Sequence, residues 1–509
     1  MKVLVLGLDG APFRLWDELC REMPTLRKLK DEGAYGILES TIPSLSLLAW
    51  PVFYTGKNPG KIGIFVTKLE KETLSDVKLP TSRDVKSEAF WDVLGDYGKK
   101  VGVVNIPVTY PAWKVNGFMI TGFLTPFGAK DFTYPPSLKD EIPDYIIDLE
   151  ILTEDKKLPD RDFDREKVLS RQYEITRKRK EVCLRLIKRY SPDFFVVNFK
   201  GVDNVQHIYW DVPEKIMEFF RFMDGIIKEF LEVCSPEYVF IMSDHGFHPR
   251  STKYFYINRW LELNGYLRRK VSLKARISNL TYVVGIKVVE WFPFIRNLVP
   301  ERAKRKVVVE GMRERIDWEH TLAYADWHRG IYINRSLPEE RRRALVKEIV
   351  EKMREARDPE TGEKIFQRIL TKEEAFSGPY TDMLPDIIWL PSEGYRINAN
   401  LYPSLTSPRL DAMHTTGEHM ADPRGIWVMH GKNVKRERID AKIQDLAPTI
   451  LALMGVPVPE DMDGEIPDAF TEPLKVEYVK REKKEKGEFG YTEKEEEELE
   501  KRLKGLGYL

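Results

Sequence analysis

Three stretches of the chain are apolar almost without a break, and each meets an aspartate as it ends: VLVLGLDG (residues 3–10), FFVVNFKGVD (194–203) and YVFIMSDHG (238–246). A strand with one wet face alternates polar and apolar residues. A strand without a polar phase is buried on both faces, as in a parallel sheet covered by helices. In an open sheet of that kind the carboxyl ends of the strands share one rim, and ligands bind there. Asp9, Asp203 and Asp244 are therefore expected to converge although they are far apart in sequence. A fourth run, GIWVMHG (425–431), follows His419 and is expected to join the same sheet. The fold class that follows is α/β, with a mostly parallel central sheet sandwiched by helices.

The intervals read as helices and insertions. Residues 165–190 space Val168, Tyr173, Ile175, Cys183 and Leu186 at helical intervals with a charged opposite face. Asp445 is placed to cap a helix over DLAPTILALM, with Pro448 in its first turn and Gly455 closing it. The expected organisation is a discontinuous core, residues 1–265 and 316–473. A loop-rich insertion rich in Pro and aromatics lies at 110–160, and a basic, aromatic cap or lid at 266–315. Residues 474–509 form a charged tail. In the tail, Thr492 and Glu495 match a capping box, and Leu499 and Leu503 stand four apart, which describes a surface helix docked by a narrow apolar stripe.

Charge and cysteine content narrow the function classes. With 81 basic and 81 acidic residues the formal net charge is zero, so nothing general points to a nucleic-acid or anionic-membrane partner. Cys20, Cys183 and Cys234 are odd in number and without CxxC spacing, so neither a disulfide framework nor a cysteine zinc site is expected. The apolar run after Met1 reaches an aspartate too soon for a signal peptide. The most apolar later stretch, LTYVVGIKVVEWFPFIRNLVP, is interrupted by Lys287, Glu290 and Arg296. A soluble cytoplasmic protein is expected, and its lysine and glutamate content would suit a thermophilic source.

The chemistry is carried by Asp/His pairs. In GVDNVQHIYWD, Asp203 and His207 are four apart and share one face if a helix starts after Gly201. Asp244 and His245 are adjacent at a strand end, and GEH places His419 in a loop before a strand. Imidazole with carboxylate is a ligand set for zinc or manganese, whereas magnesium prefers oxygen alone. Three aspartates and three histidines exceed one tetrahedral site and suit two ions at roughly 3.5–4 Å. Singly, each residue also fits a plain structural role, an aspartate as an N-cap or a histidine bonded to backbone, and His248, His320, His328, His414 and His430 are left in that class. A nucleophile is sought in STIPSLSLLAWPVFYTGKNPGKIGIF. Ser46 directly precedes an apolar stretch, where a helix N-terminus would favour an alkoxide and a bound phosphate. Ser46 could equally be only an N-cap there, and Ser44 and Thr41 are competing hydroxyls.

These residues resemble the alkaline phosphatase superfamily, specifically its type I phosphodiesterase/nucleotide pyrophosphatase branch and the archaeal phosphohydrolase/phosphomutase relatives. The likeness runs through GLDG, PSLSLLAWPVFYTGKNPGKIGIF, the Asp203/His207 segment, SDHGF with YFYINRWLELNGYL, IDWEHTLAY, the GEH loop and DLAPTILALMGVPVPEDMDG. It implies an alkaline phosphatase-like fold with inserted caps and two divalent ions, zinc or manganese. Asp203, His207 and His419 would hold one ion. Asp9, Asp244 and His245 would hold the other, with Ser46 as a ligand of that ion and the nucleophile that forms a phospho-serine. Small phosphate esters are the implied substrates, with phosphodiesters or nucleotide pyrophosphates foremost. Phosphomonoesters or a phosphomutase reaction are the alternative, and a non-catalytic binding protein on the same fold is a third. Serine rather than threonine at 46, and Ile62 and Thr67 in GKIGIFVT where relatives read GKHGIFDF, depart from the diesterase pattern. Thr67, Arg250 and Lys253 are candidate substrate contacts. The sulfatase branch is disfavoured, because Ser46-Leu47-Leu48-Ala49-Trp50 lacks the proline and arginine of its motif.

Overall fold

The computed structural model describes residues 1–68, 78–147, 164–270, 315–326, 330–409, 414–482, 487 and 489–505. Most of the expected cap at 266–315, and residues 148–160 of the expected insertion, lie outside the described residues. A nine-stranded sheet organises the rest. Its strands are β1 (Val3–Leu8), β2 (Ala34–Glu39), β3 (Val101–Ile106), β4 (Gly117–Thr121), β5 (Thr133–Tyr134), β6 (Phe194–Phe199), β7 (Tyr238–Met242), β8 (Arg424–Gly431) and β9 (Ala441–Lys442). They lie in the order β9-β2-β8-β7-β1-β6-β3-β4-β5. β1 is central and pairs in parallel with β6 and β7, Val3 standing opposite Phe194 and Tyr238. Two strands run against the rest: β8 is antiparallel to both β7 and β2, and β5 to β4.

All six residues of β1 are buried. Its alternate side chains feed two separate cores, Val3 and Val5 on one face and Leu4, Leu6 and Leu8 on the other. Against the first face pack α1 (Ser46–Thr55) and, later in the chain, α5 (Leu446–Met454); against the second pack α2 (Arg165–Tyr190) and α4 (Pro213–Cys234). Between α2 and α4 lies α3 (Gly201–Tyr209). α2 begins where Asp164 accepts hydrogen bonds from the amides of Glu166 and Lys167 at 3.0 and 3.1 Å. α5 ends at Gly455 (φ 70°) as expected, but Asp445 does not cap it. A 3-10 turn over Ile443–Asp445 runs straight into the helix, and the Asp445 carboxylate serves the amides of Lys442 (2.8 Å) and Glu465 (2.9 Å) instead.

Two features of the organisation differ from the expectation. Residues 110–147 are not merely loops: the short run GFMIT supplies β4, paired in parallel with β3, and β5 follows as the sheet's edge. Prolines and aromatics around these five residues hide the strand. While Phe376, Leu384 and Ile388 pack into the first core, much of residues 253–267, 316–326 and 330–405 gathers around a third core, with Phe255, Trp260, Tyr332 and Ile349 buried in it. Its sheet orders Ala323–Asp326, Gly330–Ile333, Ile387–Pro391 and Phe366–Thr371, backed by helix Glu339–Arg354. The tail forms α6 (Glu493–Gly505). Thr492 and Glu495 close its capping box at 2.8 and 3.4 Å, and Leu499 and Leu503 are fully buried in the first core. The three cysteines are free. Among the described residues no helix is long and apolar enough to cross a membrane.

Candidate metal centre

The three aspartates meet at the rim formed by the ends of β1, β6 and β7. Asp9 follows β1 directly and is fully buried. Its Oδ2 accepts from Asn198 Nδ2 (2.6 Å) and Trp50 Nε1 (3.3 Å), and its Oδ1 from Lys200 Nζ at 2.9 Å. Trp50 reaches this position only across Gly7, where a Cβ would stand 2.7 Å from the indole. Gly10 turns the chain away with φ +70° and donates its amide to Asp244 Oδ1 at 3.1 Å.

Asp203 and His207 project from the same side of α3, with His207 Nε2 3.5 Å from Asp203 Oδ1. Lys200, at the N-cap position of that helix, also reaches Asp203 Oδ2 at 2.5 Å. Asp244 and His245 follow β7, with 3.4 Å between His245 Nε2 and Asp244 Oδ2. His419 stacks on His245 with ring centres 4.0 Å apart. Ligand atoms fall into two groups, each within 4.8 Å: Asp9, Asp244 and His245, and Asp203, His245 and His419. The first matches the set implied by resemblance. In the second, His245 stands where His207 was expected, and His207 lies beside Asp203. His245 thus belongs to both groups.

The donor chemistry fits divalent cations. Each imidazole turns Nδ1 to a backbone carbonyl: His207 to Gly417 O (2.9 Å), His245 to Gly246 O (2.9 Å) and His419 to Ser44 O (2.7 Å). With Nδ1–H donated outward, the Nε2 lone pairs face the carboxylates, the arrangement that orients histidine for a metal. Burial holds His207 below its ordinary pKa, and holds His419 well below it with help from the neighbouring imidazoles, which favours the neutral form that a metal ligand requires. Burial and the charge of Asp9 push Asp244 up to about 6. At Asp203 burial acts in the same sense but is outweighed by Lys200 and the imidazoles, leaving the carboxyl below its ordinary range. Three fully buried carboxylates thus face one buried ammonium, an excess of negative charge that divalent cations would offset, two of them leaving positive charge over for an anionic phosphate.

Ser46 is the first residue of α1, whose N-cap is Leu45, so its hydroxyl is not a cap. Its Oγ lies 3.3 Å from Asp9 Oδ1 and 3.2 Å from His245 Nε2. The competing hydroxyls are engaged in the preceding turn, Ser44 Oγ with Thr41 O (3.2 Å) and Thr41 Oγ1 with Pro43 O (2.8 Å). The candidate substrate contacts are more scattered. Thr67 sits in a two-residue strand paired with Ile64–Phe65, and Ile62 is core. Arg250 is half-buried, its amide bonded to Thr416 O at 2.9 Å. Lys253 belongs with the third core's strands and is ion-paired with Asp358 and Glu360, both at 2.9 Å. His248 is held between Pro249 O and the Ala421 amide, while His320 and His430 pair with Asp317 and Glu32. His328 lies outside the described residues. Lys200, Asn198 and Trp50 are the site residues that sequence reasoning missed. The signal for the first two was there, as polar residues in an otherwise apolar run, FFVVNFKG.

No curated protein matches the chain. Among solved structures, phosphonoacetate hydrolase from Sinorhizobium meliloti 1021 in complex with phosphonoformate is similar, with TM-score 0.54 and 14% identity over 90% of this chain and 95% of that chain. Its complex with phosphonoacetate gives TM-score 0.52 at the same 14% identity and the same coverage of 90% and 95%. Human ectonucleotide pyrophosphatase / phosphodiesterase 5 covers 90% of this chain and 96% of its own at 13% identity and TM-score 0.47. The likeness to the two phosphonoacetate hydrolase structures, at 14% identity, is likeness of fold, here the alkaline phosphatase-like α/β fold. Residues 3–422 match the family model of type I phosphodiesterase / nucleotide pyrophosphatase, and the chain belongs to that family of phosphoric ester hydrolases.

Proposed function

We propose that the protein is a two-cation phosphohydrolase that cleaves phosphodiester or nucleotide pyrophosphate bonds, with Ser46 as the nucleophile. The observation that carries this reading is the buried Ser46 hydroxyl at the start of α1, 3.3 Å from Asp9 and 3.2 Å from His245. Asp9, Asp244, His245 and Ser46 would hold one cation, and Asp203, His207 and His419 the other; the mixed imidazole and carboxylate donors favour zinc or manganese. Two such cations, when bound, would supply Lewis-acid stabilisation of the charge that develops in the reaction.

The chain's own groups do the rest. The start of α1, with the positive end of its dipole, would favour an alkoxide at Ser46 and an anionic phosphoryl group beside it. Ser46 Oγ, giving its proton to Asp9 Oδ1, attacks phosphorus in line as the ester oxygen leaves on the opposite side, giving a phosphorylated serine that keeps the substrate's other ester group. Water then displaces Ser46 by a second in-line attack and releases the phosphate product. Replacing Ser46 by Ala removes the attacking atom and one of the four groups that would hold the first cation, and leaves the other three in place. Asp9 keeps its bonds to Asn198 and Lys200, and His245 its bond to Gly246 O. Turnover of an activated diester should fall by about a thousandfold or more, with manganese stoichiometry unchanged. A Ser46→Ala protein that hydrolyses the diester at near-normal rate would sink the assignment.

A further inference from the structure

Lys200 is placed against local preference. It sits between β6 and α3 with helical torsions, at the N-cap position, where a cation meets the positive end of the helix dipole. It is also 1% exposed, and burying an ammonium is unfavourable unless it is closely paired. The pairing is specific: Nζ lies 2.9 Å from Asp9 Oδ1 and 2.5 Å from Asp203 Oδ2, and 5.2 Å from the centre of the Phe123 ring. Asp9 belongs to one ligand group and Asp203 to the other. The ammonium therefore joins the two halves of the centre. Asp9 does not rely on it for position, because Asn198 and Trp50 hold the other carboxylate oxygen at 2.6 and 3.3 Å. Asp203 is carried by α3. What Lys200 adds at this place is charge.

We infer that Lys200 is a built-in third cation of the centre, which permanently offsets part of the charge of Asp9 and Asp203 and thereby lowers the affinity of both ligand groups for divalent cations. The inference rests on the two-cation reading above. Its test uses the full-length protein and the variants Lys200→Met and Lys200→Gln, stripped with chelator and titrated with Mn²⁺ by calorimetry. Glutamine keeps hydrogen-bond donors and methionine does not, while both lose the charge. Both variants should bind two Mn²⁺, with at least one site about tenfold tighter than in the wild type, because a unit charge a few ångströms from a dication is poorly screened in a buried site. Unchanged or weaker binding in variants that retain two sites would overturn the inference, as would tightening in Lys200→Met without tightening in Lys200→Gln. Wild-type protein that binds no Mn²⁺ would instead overturn the two-cation reading. Should the stripped variants be unfolded, Mn²⁺ is expected to restore the wild-type circular dichroism spectrum by supplying the lost charge. Variants that stay unfolded in excess Mn²⁺ would refute it.

Discussion

Gly10 tests whether the centre depends on close approach of backbone to ligands, and the substitution to make is Gly10→Ala. Two costs add. The residue has φ +70°, where an L side chain loses about 1–2 kcal/mol. The new Cβ would also stand 3.2 Å from Asp203 Oδ1 and 3.3 Å from both Asp203 Cβ and His245 Cε1. Neither neighbour moves easily, since Asp203 is tied to Lys200 at 2.5 Å and His245 to Gly246 O at 2.9 Å. Crowding of that kind costs about 1–3 kcal/mol, so Gly10→Ala should lose about 3 kcal/mol in urea unfolding. Gly98→Ala is the control, because Gly98 has φ +76° with nothing within 4 Å of its added Cβ. That variant should pay only the backbone cost of about 1–2 kcal/mol. The excess at Gly10 falls on ligands of both groups, so Mn²⁺ affinity should drop about tenfold or more in Gly10→Ala and stay unchanged in Gly98→Ala. Equal stability losses and equal Mn²⁺ affinities in the two variants would refute the argument.

Leu503→Ala should lose about 3 kcal/mol, the range for a fully buried leucine, and open α6 to proteolysis with diester hydrolysis intact; a protease-resistant, fully stable variant would show that the tail is not docked. Asp358, whose side chain is fully buried, is pushed upward by burial, but this is outweighed by the Glu360 amide, Lys253 and Tyr395, which bring it down from 3.8 to about 2. A depressed carboxyl contributes stability above its unfolded pKa and loses it as pH falls through the folded one. Asp358→Asn should therefore cost about 2 kcal/mol at pH 6, shrinking between pH 4 and pH 2, and a pH-independent difference in urea unfolding would contradict the ion-pair origin.

The parts of this molecule that were legible in the sequence are those encoded by neighbours along the chain. A strand buried on both faces announces itself as a continuous apolar run, which is how β1, β6, β7 and β8 are found. Asp203 with His207, and Asp244 with His245, lie within one helical turn or one peptide of each other, so their local geometry follows from spacing. Ser46 is marked by the apolar helix it opens. The missed features arise across the sheet. Asn198 meets Asp9 because β6 places it opposite Gly7 of β1, a register that no local pattern prints. Trp50 arrives from α1 over the same glycine. That His245 lies within reach of both Asp9 and Asp203 depends on how three strand ends converge. The third core was hidden for a related reason: its strands are short and its pairings mostly antiparallel, so the apolar runs that mark the main sheet are absent.

His419 enters this centre by a different route from the aspartates, and the difference explains why one reversed strand is needed. β1, β2, β6 and β7 run in one direction, so Asp9, the path toward Ser46, Asp203 and Asp244 all leave from their carboxyl ends. β8 runs the other way, and it is the beginning of β8 that lies at the rim, with His419 on the approach to it. β8 pairs with β2, Arg424 opposite Glu39, so the chain entering β8 passes beside the chain leaving β2 for Ser46. The hydrogen bond from His419 Nδ1 to Ser44 O, 2.7 Å long, ties the two passages together. The candidate ligand and the candidate nucleophile are thus coupled through one strand register. Since β8 is apolar on both faces, polarity cannot fix that register. A side-chain hydrogen bond marks it instead: Trp427, opposite Gly36, donates Nε1–H to Ile439 O at 2.8 Å, and that carbonyl lies so close to Gly36 that a Cβ there would fall 2.2 Å from it. A slip of one residue would break that hydrogen bond and carry His419 away from Ser44. A tryptophan and a glycine remote from the chemistry therefore help to hold the spacing between the candidate nucleophile and a candidate metal ligand.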